Sequence, residues 1–395
     1  VTGGDLAPVT AVRAGRLFDG VSDLGRGMVV IMDGRIADVD RSGAAPPPSA
    51  NIVDLGEDAC VMPGLIDPHT HLVLSDVEEP VGVVGATDQE LLARARLAAA
   101  RALAAGVTTV RDLGDRGYLT TVLREELRGA PWTGPEIVCA GPPITTPGGH
   151  CWFLGGAEHP TTIAAAVRRR VARGCDVVKV MASGGHRTPG SDAGASQFGL
   201  AHLRTVVEEA HRLGRPVAAH AHGTRAILDA LKAGVDTIEH ATFLSPEGRD
   251  PSAHILDMLA SGASVISVTL GCLPGGPRPD PSVARRLAVA RRSWSRLHQA
   301  GARLVAGTDA GVARGKPHDV LPYGLMAMAT LGMTTGEVLR NATVDAAAAC
   351  GLVGRKGRLV RGADADLLAV RGNPLQDLCV LTDVRAVFRA GRRIR

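Results

Sequence analysis

Residues 216–240 read PVAAHAHGTRAILDALKAGVDTIEH. A short apolar run at 216–221 gives way to an Ala/Leu-rich stretch with helical spacing at 223–233, and a second apolar run follows at 237–240. Strands that are apolar throughout, each followed by a helix, are buried on both faces and so imply a parallel sheet. The same alternation extends in both directions. Strand-length apolar runs occur at 60–66, 107–113, 136–140, 176–181, 264–269 and 303–308. Helical stretches occur at 88–105, 118–128, 161–173, 201–213, 252–261, 282–300 and 335–350. Eight such units predict an α/β fold of the (β/α)8 barrel type over residues 63–351.

The two ends of the chain read differently. Residues 8–62 alternate apolar and polar positions and carry Asp-Gly turn signals at 19–20 and 33–34. GRLVRGADADLLAVRGNP (357–374) and VRAVFRAGRRIR (384–395) read the same way. Residues 1–62 and 352–395 are therefore expected to form one composite β-sandwich domain beside the barrel.

Composition narrows the function classes. The 395 residues carry 44 Lys and Arg against 40 Asp and Glu, a small, scattered excess that argues against a dedicated nucleic-acid or polybasic membrane surface. No apolar run approaches a membrane span, and VTGGDLAPVT at the start lacks the pattern of a signal peptide. Seven cysteines without a CxxC pair point away from disulfide scaffolds and zinc ribbons and towards a reducing, cytoplasmic setting. Only four of the 44 basic residues are lysines, so a Lys within an apolar strand is informative. Lysine, unlike arginine, can lose its proton and become a nucleophile.

Metal-type ligands recur at strand ends. The first strand closes on Asp67-Pro68-His69-Thr70-His71, and two histidines at i, i+2 point the same way. Lys179 lies in DVVKVMASGG, His220 and His222 in AHAHG, His240 in IEH and Asp309 in GTDAG. One His or Asp at a strand end is weak evidence, since it serves as readily in the core or as a helix cap. Together they fall where the loops of a barrel converge on its active face.

PGLIDPHTHL, the strand Lys, HAHG, IEH and GTDAG, in this order, resemble the metal-dependent amidohydrolase superfamily over essentially the whole chain. KVMASGG, AGVDTIEHATFL and GTDAG most resemble the branch of imidazolonepropionase-like proteins and Xaa-Pro dipeptidases. The resemblance implies two divalent metal ions, with Zn²⁺ suited to imidazole and carboxylate ligands. It assigns His69, His71 and Asp309 to one ion and His220 and His240 to the other. Lys179, converted by CO₂ to a carbamate, would bridge them. The alternative for Lys179 is a structural ion pair with a carboxylate such as Asp176. Two cations would lower the pKa of a bridging water, and Asp309 would take its proton and return it to the leaving nitrogen. His222 is expected to face substrate or orient the oxyanion. His150 resembles a substrate-contacting position, and His186, Arg187 and Tyr323 are further candidate substrate contacts by position.

The resulting expectation is a binuclear hydrolase of an amide or peptide C–N bond in a small peptide or N-acyl amino-acid substrate. A specialised form of it trims a peptide during natural-product maturation. Two alternatives remain: a cyclic-amide hydrolase of the imidazolonepropionase type and a non-enzymatic ligand-binding barrel. A deaminase fits less well, because HAHGTRAIL offers no acidic proton shuttle. Relatives of this kind are often homo-oligomers.

Overall fold

The computed structural model describes residues 9–245, 250–275 and 281–395; the expectations for residues 1–8 and for 276–280 of the loop at 271–281 lie outside the described residues. The chain opens with five strands: β1 (Thr10–Phe18), β2 (Asp23–Met32), β3 (Arg35–Asp40), β4 (Asn51–Asp54) and β5 (Ala59–Pro63). The middle alternates. It runs β6 (Leu65–Thr70), α1 (Asp88–Ala104), β7 (Val107–Asp112), α2 (Leu119–Gly129), β8 (Glu136–Cys139) and α3 (Ile163–Ala172). It continues with β9 (Val178–Met181), α4 (Leu200–Arg212), β10 (Val217–Gly223), α5 (Thr224–Ala233), β11 (Thr237–Leu244) and α6 (Ala253–Ser261). Next come β12 (Val265–Thr269), α7 (Pro281–Gln299), β13 (Leu304–Gly307), α8 (Leu321–Ala329), α9 (Thr335–Arg340) and α10 (Ala346–Ala349). The chain ends with β14 (Leu367–Arg371), β15 (Val384–Arg389) and β16 (Arg392–Arg393).

Strands β1–β5 and β14–β16 form one eight-stranded sheet, so both ends of the chain meet there. It packs its own small core, including Leu17, Val29, Ile36 and Phe388. The middle strands form two parallel sheets, β6-β7-β8 and β13-β12-β11-β10-β9. At one seam Ile144, just past β8, exchanges backbone bonds of 2.8 Å with Lys179 and Met181. At the other, the His69 carbonyl accepts the Asp309 N–H at 2.7 Å, and Thr70 bridges Ala310. Strands β6, β7, β9 and β10 are buried along their full length, as strands of a parallel sheet covered on both faces are.

The helices cover these strands through one face each. In α1 the buried residues Leu91, Ala95, Ala98, Ala99, Ala102 and Leu103 follow the spacing of a helical stripe, and Thr87 with Glu90 closes a capping box at its start. Full burial of a leucine in such a stripe contributes about 1.5–3 kcal/mol.

Three local expectations are corrected. The apolar run at 60–66 is two strands, not one: β5 joins the terminal sheet and β6 the parallel one. The break falls at Gly64, where a Cβ would lie 2.2 Å from the Thr108 hydroxyl. A helix, α8, precedes the expected one at 335–350. That expected helix contains a π-helical turn, Asn341–Asp345, which brings the Asn341 amide onto β13 to accept the Ala306 N–H and donate to the Leu304 carbonyl, both at 2.6 Å.

Candidate active site

His69 sits near the end of β6 and His71 just beyond it, so the two-residue period of an extended chain sends both rings to the same side. Asp309 follows β13, and its Oδ1 lies 3.4 Å from Nε2 of both histidines. Gly307 permits this approach, since a Cβ there would come within 2.6 Å of the His69 Cβ. His220 and His222 on β10 and His240 on β11 form a second group, in which one ligand atom from each lies within 4.8 Å of the others. The expectation kept His222 apart from the ligands, yet the structure stacks its ring 4.5 Å from His240 and sets it 4.6 Å from His220. The two groups adjoin, with the His69 and His240 rings 5.0 Å apart.

Each of these imidazoles is held at one nitrogen by a group outside the two sets. His69 Nδ1 meets Glu239 at 2.8 Å, and His71 Nδ1 meets the Gly114 carbonyl at 2.9 Å. His240 Nδ1 meets the Thr269 hydroxyl and His222 Nδ1 the Thr242 hydroxyl, both at 2.9 Å. His220 is held at Nε2 by the Gly184 carbonyl at 3.0 Å. Such outer contacts fix ring orientation and tautomer at metal sites. The backbone is strained to the same end: His240 and Asp309 adopt φ of 72° and 56°, a region costly to residues with a Cβ. Trp294 Nε1, 3.0 Å from the carbonyls of His240 and Ala241, braces the first of them.

Lys179 on β9 is 1% exposed, and its Nζ has no hydrogen-bond partner among the described residues; His69 Nε2 is likewise buried without one. Asp176, the partner of Lys179 in the structural alternative, pairs with Arg124 at 2.5 Å instead. Orphaned polar atoms this deep are expensive unless something fills the space between them. Two nearby sets of imidazole and carboxylate ligands around an unpaired amine fit a pair of metal ions.

Burial, followed by mutual repulsion, pushes His220, His222 and His240 well below the usual imidazole range, and burial with the nearby Lys179 charge brings His69 down to about 4. These rings are neutral near pH 7 and have lone pairs to offer. Burial also lowers Lys179 to about 8, against the opposing pull of Glu239 and Asp309. Burial would raise Asp309, but the hydrogen bond from His71 and the surrounding positive charge outweigh it and keep the carboxylate ionised.

The eleven residues expected at the site all line one cavity of about 790 Å³: His69, His71, His150, Lys179, His186, Arg187, His220, His222, His240, Asp309 and Tyr323. Its walls are mixed. Phe153, Leu270 and Trp294 supply apolar surface, and Arg286, Arg291, Arg314 and Lys316 add positive charge. Cys151 also lines it, but burial pushes its thiol up to about 12, so it is no nucleophile. His150 is held neutral by burial, which brings it down to about 3.

Comparison with known proteins agrees with this geometry. The model of the amidohydrolase family matches residues 60–394. The chain belongs to the amidohydrolase family. This amidohydrolase is 28% identical to ochratoxinase of Aspergillus niger over 97% of its own length and 85% of that protein's. It is 27% identical to imidazolonepropionase of Deinococcus deserti, covering 98% and 97% of the two chains. A crystal structure of a Xaa-Pro dipeptidase with bound methionine superposes with a TM-score of 0.83 at 27% identity, covering 98% and 99% of the chains.

Sequence reasoning missed the groups that aim the ligands of this amidohydrolase. Glu239 was visible in IEH but was given no role; it is fully buried between His69 and Arg111, whose guanidinium lies 3.0 Å away. Burial alone would raise its pKa, but Arg111 and then His69 hold it well below the carboxylate range. Asp67, in the same motif as His69, accepts the His69 and Thr308 N–H groups at 3.1 Å and so ties β6 to the turn that bears Asp309. Among the described residues no helix is long and apolar enough to cross a membrane.

Proposed function

We propose that this enzyme is a binuclear metal-dependent hydrolase that cleaves an amide or peptide C–N bond in a small peptide or N-acyl amino-acid substrate. The observation that carries the reading is Lys179 Nζ, fully buried and unpartnered between two ligand groups. Burial strips a free ammonium of water there without giving it a partner, whereas a CO₂-derived carbamate on Lys179 would act as a carboxylate able to span two ions. His69, His71 and Asp309 would hold one divalent ion and His220 and His240 the other, with His222 in reach of the second. Such a pair, Zn²⁺ being well suited, supplies a water of lowered pKa and a polarised carbonyl when bound.

The protein's own groups do the rest. Asp309 is ionised, so it can take a proton from the attacking water and return it to the leaving nitrogen. The neutral imidazoles keep the centre from repelling cations. Phe153, Leu270 and Trp294 exclude water from the acyl group, while Arg187 and Arg286 offer charge to a carboxylate.

The parallel sheets are read as one closed (β/α)8 barrel, which the bridges Thr70–Ala310 and Ile144–Val180 support at its two seams. The division into a barrel at 63–351 and a composite terminal domain goes with that reading. Free cysteines, among them buried Cys60, Cys139, Cys151, Cys175 and Cys350, suit a reducing cytoplasm.

The test is a hydrolysis screen of dipeptides and N-acyl amino acids with zinc-reconstituted protein. Release of free amino acid that depends on the metal is expected. Turnover confined to small cyclic amides would favour the imidazolonepropionase-type reaction, and no turnover of either class would contradict the proposal.

A further inference from the structure

The turn carrying His150 is bolted to the loop after β9 by side chains, not by strand pairing. Gln197 accepts the His150 N–H and donates to the Met181 carbonyl and the Thr145 hydroxyl at 2.9 and 3.1 Å. Thr188 makes the second tie. Its Oγ1 lies 3.0 Å from the Cys151 N and 2.8 Å from His150 Nδ1, and the residue is 3% exposed. No other partner of this hydroxyl occurs among the described residues.

Counting protons decides the direction of these bonds. The Cys151 N–H can only donate, so the hydroxyl oxygen accepts from it. The hydroxyl has a single proton of its own, and His150 Nδ1 is the one acceptor in reach. Were His150 to donate from Nδ1, that proton would be buried without a partner, at a cost of about 1–3 kcal/mol. Nδ1 therefore accepts, and the ring proton sits on Nε2.

His150 lines the cavity. Its Nε2 lies 3.4 Å from the Cys151 Sγ, a weak acceptor, and its ring is 4.5 Å from that of His220. Gly185 makes the room, because a Cβ there would come within 2.3 Å of Nε2.

We propose that Thr188 is a positioning residue that locks His150 in its Nε2–H tautomer and so presents a fixed hydrogen-bond donor to an oxygen of the substrate. In turnover this oxygen displaces the Cys151 sulfur as acceptor. The catalytic part rests on the amide-hydrolase reading; the tautomer does not.

Two measurements test it. In protein labelled with ¹⁵N-histidine and purified with zinc and bicarbonate, two-bond ¹H–¹⁵N correlations should show His150 protonated at Nε2 and bare at Nδ1. The signal is assigned by its loss in His150→Gln. Protonation at Nδ1 overturns the proposal whether or not a substrate is known. In the hydrolysis assay, Thr188→Val should lower kcat/KM by about 100-fold at unchanged metal content. Thr188→Ser, which keeps the hydroxyl, should recover most of that loss. Equal activity in the wild type and Thr188→Val would overturn the role in turnover. Wild-type protein that hydrolyses nothing would sink the hydrolase reading and, with it, that role, leaving the tautomer to stand or fall on the spectra.

Discussion

Two of the four lysines are deeply buried, in opposite settings. Lys356 is surrounded by carboxylates: it bonds Asp366 directly, with Glu136 at 3.0 Å and Asp364 at 3.2 Å. Arg355 and Arg389 share the same three acids, and Arg35 lies 3.4 Å from Asp364, so every carboxylate has a cation beside it. The cluster joins the start of β8 to the terminal sheet. Lys179, at the other end of the parallel strands, has no partner at all among the described residues and is ringed by imidazoles. A saturated buried charge holds a structure together; an unsaturated one is kept for something the chain alone does not provide.

The comparison can be broken by exchanging each lysine for a residue of similar size. Lys179→Ala should lower kcat/KM on the order of 1,000-fold or more, because it removes the amine on which the proposed bridging carbamate would form. A short carboxylic acid in the buffer should restore part of that activity. In metal-free protein, Lys179→Met should leave urea stability equal or higher, since it removes an unpaired buried amine. Lys356→Met should do the reverse. It leaves the buried carboxylate of Asp366 without its ammonium partner and should cost about 3 kcal/mol in urea unfolding, with KM unaffected. A stability loss from Lys179→Met as large as that from Lys356→Met would erase the distinction.

A smaller effect is expected from Glu239→Gln. The amide keeps the shape but loses the charge that orients His69, so metal affinity in a competitive chelator titration should fall about 10- to 100-fold. The smallest concerns pH. Burial would raise Glu136 and Asp364, but Lys356 and Arg355 outweigh it and hold both below their ordinary 4.5 and 3.8. Their contribution is complete above those ordinary values and fades as pH falls through the lower folded ones. The urea midpoint should therefore drop on acidification, and less so in Lys356→Met, where much of the depression is gone. An equal acid slope in both proteins would contradict the assignment.

The candidate ligands could be proposed from the sequence because they lie on strands or just past their ends, where spacing and orientation are linked. His69 with His71, and His220 with His222, could be placed on one side of a chain from the two-residue period alone. Their supports were not. Thr242 and Thr269, on neighbouring strands, reach His222 and His240 across 20 and 29 residues, and Thr188, on a loop, reaches His150 across 38, distances that no local pattern spans. The break at Gly64 was hidden for a similar reason. Both sides of it are apolar and of strand length, and what divides them is the Thr108 side chain on a neighbouring strand. His222 marks the limit within the motif itself. Its side of the strand was readable, but its stacking on His240 was not, and that stacking brings it among the ligand atoms.

The most direct test of the account is metal content by elemental analysis, on wild-type and Lys179→Ala protein purified with bicarbonate and without chelator. The account predicts about two equivalents of a transition metal per wild-type chain and a clear loss in the variant, since one bridging group serves both sites. Two equivalents retained by Lys179→Ala, together with full activity, would contradict it.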